Sequence, residues 1–209
     1  MGEASINKLN LALDVLLKND EIKKSLNGLL LKPKIFKAKT INAFCWAEKD
    51  SNSIHLAVSM KMIEVMDERS LILCLLHEFA HLIKGHPQFL LKLNPILFTF
   101  KVILFLFFLT SIYSYVSVWP MIGLSLAFAG FISFTAFLIH RGFKRKFEFE
   151  ADEYVVRKVG KKGFIDVLKV YFQDDLEKKL SSSIFDSHPS FKERIERIQK
   201  IALPEQKAQ

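Results

Sequence analysis

LLHEFAHLIKGH, residues 75–86, places His77 and His81 four positions apart, with Glu78 beside the first. Around them Leu71, Ile72, Leu75, Leu76, Phe79, Leu82 and Ile83 recur at three- and four-residue steps, so the stretch reads as a helix. Asp67 or Ser70 can cap its start, and Gly85 stands where a left-handed residue would end it. Residues four apart share a helix face, so His77 and His81 can point two imidazoles at one ion. Glu78 then flanks the ion instead of binding it, which is where a general base is needed to activate water. Such a five-residue pattern also arises by chance, and a helical histidine pair can be a satisfied surface pair. A third ligand decides between these readings.

The extended form of the motif requires glycine and histidine at positions 84 and 87, which are Lys84 and Pro87. Gly85 and His86 are one position off, and His86 is expected on the surface at the helix end. The stretch KFEFEADEYVVRKVG, residues 146–160, offers acids instead. Val155, Val156 and Val159 continue it with helical spacing, and Glu148 and Asp152 share a face. Glu148 can complete the ion's ligands, and Asp152 can hold a ligand histidine by its ring N–H. Glu150 is expected on the opposite side of that helix. The competing reading, a solvated acidic face, weakens because the two motifs occur together and in order.

HEFAH at 77–81, EFEAD at 148–152 and HPSFKERI at 188–195 together resemble the HtpX-like and CAAX prenyl protease family of membrane zinc metallopeptidases. Ile41-Asn42-Ala43-Phe44 and the run from Ile54 into the HEFAH helix are similar to that family's strand, strand and active-site helix. The resemblance covers roughly residues 40–92 and 142–200. It implies one zinc ion per chain, ligands His77, His81 and Glu148, and Glu78 as catalytic base. It favours Glu148 over Glu150 as the ligand, and it places His188 near the active site, where the ring can donate to an oxyanion; a loop histidine that fixes the turn is the competing reading. Asn42 and Ala43 would lie beside the substrate cleft. The chain departs from the family in having nothing before Asn94 long and apolar enough to span a membrane. It also lacks the seven spans that enclose the site in the prenyl proteases, so prenyl-protein processing is not implied.

Half of the 209 residues are hydrophobic and 20 are Phe. The excess is local. Val102–His140 contains no Lys, Arg, Asp or Glu over 39 residues, too long for one crossing at about 20 residues and suited to two. Spans are expected at Ile96–Val118 and Met121–Ile139, broken at Ser117-Val118-Trp119-Pro120. Small residues in the second span, Gly123 to Ala136, favour close helix packing in lipid. Lys84 and Lys92 precede the hairpin, and Arg141, Lys144, Arg145 and Lys146 follow it, so both flanks are expected in the cytoplasm. The mixed-charge N-terminus has no apolar core, and no signal peptide is expected. The net charge of +8 comes from scattered basic residues with no nucleic-acid module, so anionic lipid is the expected partner and nucleic acid is not. Cys45 and Cys74 show no pairing pattern and suit a reducing compartment, with Cys74 expected in the core.

The remaining elements follow in order. Residues 3–18 form an amphipathic helix expected to pack in the core, and a short helix follows Asn19-Asp20 and ends near Gly28. Lys34–Phe44 and Ser53–Val58 read as strands joined by the AEKDSN turn, and an edge strand there could pair with an extended substrate. Asn42 is as readily a simple turn residue. Gly163–Phe172 suggests another helix, and Ser190-Phe191-Lys192-Glu193 opens a last one as a capping box, with Arg194 available for an anchoring ion pair.

The fold expected is α+β and mainly helical, a gluzincin-type domain interrupted by a two-helix transmembrane hairpin. Its parts are 1–92 with the small sheet and HEFAH helix, 93–141 the hairpin, and 142–209 the helical half with Glu148. The function expected is a membrane-anchored zinc endopeptidase acting on proteins or peptides at the cytoplasmic face, in a bacterial membrane. Membrane-protein quality control and processing of one dedicated peptide both fit. An intramembrane protease is disfavoured, because Leu71–Ile83 is 13 residues and too short to span. The rivals from other classes are a zinc-stabilised binding or immunity-type membrane protein without turnover, and a metal-free lipid scaffold.

Overall fold

The computed structural model describes residues 3–26, 28–47, 52–113, 118–172 and 188–203. The HEFAH helix is its centre. α1 (Glu3–Leu17) and α2 (Asp20–Leu26) lead into β1 (Leu30–Phe36), β2 (Ala43–Ala47) and β3 (Ser53–Ser59), followed by α3 (Met60–Val65) and α4 (Glu68–Ile83). Leu71, Leu73, Cys74, Leu75, Leu76, Phe79 and Leu82 are all buried, so α4 is apolar around most of its circumference. A helix of that kind has to be covered on every side, and α1, α2, β2 and the later helices Val118–Val159 and Lys161–Tyr171 supply cover. Leu9, Leu13 and Leu16 of α1 and Ile22 and Leu26 of α2 pack into the same core.

Asp67 caps α4 by accepting from the Ser70 N–H at 2.6 Å. That bond to the Ser70 backbone holds the Asp67 carboxyl below its usual range. A lowered folded-state pKa means the contribution is present at neutral pH and is lost as pH falls through the folded value. Asp67→Ala should therefore cost about 1 kcal/mol at neutral pH, with a smaller difference from wild type well below about pH 4. Asp67→Asn should keep the cap at both. Thermal midpoints of the three proteins at the two pH values check this, and a penalty that does not shrink in acid would refute it.

The strands lie in the order β1-β3-β2, β1 parallel and β2 antiparallel to β3. Central β3 is buried along its whole length, and β1, which carries Pro33, is an edge where a missing N–H is tolerated. The single strand expected over Lys34–Phe44 is two. β1 and β2 sit on opposite edges of β3, so the chain between them must leave the sheet and cross over. It re-enters at Asn42, whose N–H donates to Ser59 Oγ at 2.9 Å and whose carbonyl accepts from the Ser59 N–H at 2.8 Å. The same Ser59 hydroxyl caps α3, a helix the sequence reading did not separate. Lys8 of α1 donates to the Ile63 and Met66 carbonyls at the other end of α3. Most of the expected AEKDSN turn, residues 48–51, lies outside the described residues.

Lys84 caps the end of α4, Gly85 follows in the left-handed region at φ 71°, and α5 (His86–Tyr113) begins at once. α6 (Val118–Val159) returns antiparallel to it, with Phe89 against Phe143 at 4.9 Å and Phe108 stacked on Phe128 at 4.2 Å. Residues 114–117, where the first expected span ends, lie outside the described residues; the second, Met121–Ile139, lies within α6. Among the described residues one helical stretch, His86–Thr110, is long and apolar enough to cross a membrane. α6 extends about 63 Å at 1.5 Å per residue, so the apolar part and the acidic motif are one uninterrupted helix. The expected boundaries at 92/93 and 141/142 accordingly fall inside α5 and α6. α7 (Lys161–Tyr171) and α8 (Phe191–Lys200) close the domain, and Ser190 and Glu193 form the expected capping box.

Candidate metal centre

α4 and α6 cross so that HEFAH faces EFEAD. His77 Nε2 and His81 Nε2 are 3.3 Å apart, and Glu148 Oε2 and Oε1 lie 3.4 Å and 3.7 Å from them respectively. Two imidazole lone pairs this close repel unless a proton or a cation sits between them. Tetrahedral zinc with ligands at about 2.0–2.1 Å separates its ligand atoms by roughly 3.4 Å. The observed spacings fit that geometry, and the donor set, two imidazoles and a carboxylate, suits zinc. Among the described residues this is the group able to hold a metal ion.

The surroundings set each member's charge. Burial opposes a charge on His77, but Asp152 and Glu148 beside it outweigh that and raise it to about 9. Burial and the neighbouring His77 push His81 down to about 3. Burial also works against ionised Glu148, yet contacts from His188 and His77 hold it well below the usual carboxylate range. Burial lifts the Glu78 carboxyl to about 7, with His77 opposing and Glu148 assisting.

Asp152 lies behind His77, its Oδ1 at 3.0 Å from Nδ1, an ion-pair distance although off the axis of a hydrogen bond. Arg194 of α8 clamps the same carboxylate, Nε donating to Oδ2 at 2.7 Å and Nη2 bonding Oδ1. This is the ion pair expected of Arg194. Arg145 of α6 binds Glu193 in the α8 cap. The two arginines dock α8 on α6 and so place His188, whose Nδ1 lies 3.1 Å from Glu148 Oε1 while the side chain is 71% exposed.

His86 is not the surface residue expected. It is 3% exposed, stacked on Phe147 with ring centres 4.1 Å apart. Its Nδ1 is 2.9 Å from His81 Nδ1, and its Nε2 is 2.9 Å from Glu150 Oε2. Glu150, expected on the opposite side of α6 from Glu148, reaches the start of α5 and meets His86, the ring packed against His81. The positive-φ turn at Gly85 is the sequence signal that could have revealed this, since it folds the residue after it back toward the end of α4.

A cleft of about 880 Å³ opens over these groups, and Asn42, Ala43, Glu78, Phe164 and His188 line it. Asn42 and Ala43 belong to the crossover and the start of edge strand β2, and Cys45 of β2 donates its S–H to the Glu78 carbonyl at 3.2 Å. That contact fixes the strand against α4.

Residues 20–202 match the family model described as peptidase family M48. The chain superposes on the crystal structure of S. mikatae Ste24p with a TM-score of 0.55 and 17% identity, over 86% of this chain and 49% of that one. The likeness is one of fold, and the chain spans about half the length of that protein. A search of curated proteins finds no match.

Proposed function

The chain belongs to peptidase family M48, a metallopeptidase family, and we propose that it is a membrane-anchored zinc endopeptidase that cuts proteins or peptides at the cytoplasmic face of a bacterial membrane. The observation that carries this is the placement of His77, His81 and Glu148 at zinc spacing in one cleft with Glu78. Zinc held there would supply a Lewis acid beside the scissile carbonyl and lower the pKa of water. Glu78 takes a proton from the water as its oxygen bonds to the carbonyl carbon, then delivers it to the amine as the C–N bond breaks. Burial raises the Glu78 carboxyl and so favours its taking up the proton. His188, with Nδ1 on Glu148, has Nε2 left for the carbonyl oxygen. Edge strand β2 offers main-chain groups to an extended substrate, which favours cutting with modest side-chain selectivity.

The membrane part of the proposal rests on exposed apolar side chains along the hairpin. Ile96, Phe98, Phe100, Ile103, Phe131 and Phe134 all face outward, far more apolar surface than a water-facing helix pair presents. The test is cleavage of labelled casein by the detergent-purified chain. Activity that a zinc chelator removes and added zinc restores is the expected result. A zinc-loaded protein inert on every unfolded substrate would overturn the peptidase reading in favour of a zinc-stabilised binding protein.

A further inference from the structure

We infer that Glu150 and His86 form an orienting relay that fixes the tautomer of His81, so that its Nε2 presents a lone pair to the metal. The inference rests on the metal reading above and concerns two residues outside the ligand set. His81 Nε2 faces His77 Nε2 and Glu148 Oε1. To serve as a ligand it must be unprotonated, which puts the ring proton of a neutral imidazole on Nδ1. That proton points at His86 Nδ1, 2.9 Å away. His86 Nδ1 must then accept, so the His86 proton sits on Nε2 and points at Glu150 Oε2, also 2.9 Å away. An ionised carboxylate can only accept. Each bond in the chain therefore permits one proton placement, and the placements run from Glu150 to the metal face of His81. With the carboxylate removed, His86 is free to carry its proton on Nδ1, which forces the His81 proton onto Nε2 and blocks the ligand position.

The relay is built rigidly. Phe147 stacks flat on His86 at an interplanar angle of 9°. The positive φ of Gly85 turns the chain so that His86 meets a ring five residues earlier. Lys146 Nζ lies 3.5 Å from Glu150 Oε1, the oxygen the relay does not use. His77 has its own support in Asp152. The acids at 148, 150 and 152 thus divide into a ligand and one orienting group for each ligand histidine, the outer-shell partners that metal-binding histidines commonly have.

The relay is tested on the full chain in detergent by two measurements. Zinc affinity, read by competition with a chromogenic chelator, should fall about 10- to 100-fold in His86→Phe and should also fall in Glu150→Ala. The double variant should be no weaker than His86→Phe, because Glu150 acts through His86. Ring 15N NMR of the zinc-free protein should show His81 with its proton on Nδ1 in wild type and a population on Nε2 in both variants, a change that a merely structural role would not produce. Unchanged affinity and an unchanged His81 tautomer in either variant would overturn the relay. Glu150→Ala settles the matter if His86→Phe does not fold, since Glu150 is half-exposed and its loss leaves no fully buried cavity. The tautomer is read without zinc, so wild type that takes up no zinc would sink the metal reading alone, and zinc-loaded wild type inert on casein would sink the peptidase reading alone.

Discussion

Replacing Glu78 by Gln should lower casein cleavage by about 10²- to 10⁴-fold, the usual share of a general base, while zinc stays bound at one per chain. The glutamine keeps the size and one acceptor oxygen of the side chain but cannot accept a proton from the attacking water. Glu78 is absent from the three-residue donor group, so its loss should leave the affinity for the ion near that of wild type. His77→Ala should do the reverse at the first step, losing the ion and with it the activity. Metal content and turnover measured on the same preparations separate the two roles. Full activity in Glu78→Gln would end the base assignment, and a tightly held zinc in His77→Ala would end the ligand assignment.

Arg194→Met should destabilise the protein by about 3–5 kcal/mol, as expected when one member of a buried ion pair is removed. For a chain of this size that is a fall in thermal midpoint on the order of 10 °C. The reason is the Asp152 carboxylate, 1% exposed. Burial alone would raise it, and the Arg194 charge, with contacts from His77 and Arg194, brings it below its usual range. Without Arg194 that charge stays buried with His77 Nδ1 as its remaining partner among the groups described above, and the support behind a metal-facing ring loosens. Zinc affinity should therefore drop together with stability. Arg145→Met makes the control. Its pair with Glu193 is partly exposed, and an ion pair of that kind contributes up to about 1 kcal/mol. Equal melting of Arg194→Met and wild type would show that the Asp152–Arg194 pair does not hold α8 in place.

Much of the candidate site is legible in the sequence because its signals are local. Histidines four apart, the Asp67 cap, the Gly85 stop and the Glu148–Asp152 face all follow from the 3.6-residue period and from which residues tolerate helix ends. The same period marked α1, the capping box at Ser190 opened α8, and the uncharged run marked the hairpin. The strands were legible in composition and not in pairing. No local rule says that β1 runs parallel to β3 while β2 runs antiparallel on its other side, and that arrangement is what divides Lys34–Phe44. The His86–Glu150 contact joins residues 64 positions apart. It exists because α4, α5 and α6 pack together and because Gly85 reverses the chain, so a histidine one position off every linear motif ends up buried against His81. The sequence by itself determined which residues could meet a metal ion and on which helices they lie. Only the tertiary structure decided which acids stand behind which histidine, because a side chain's partner across two helices depends on how those helices cross.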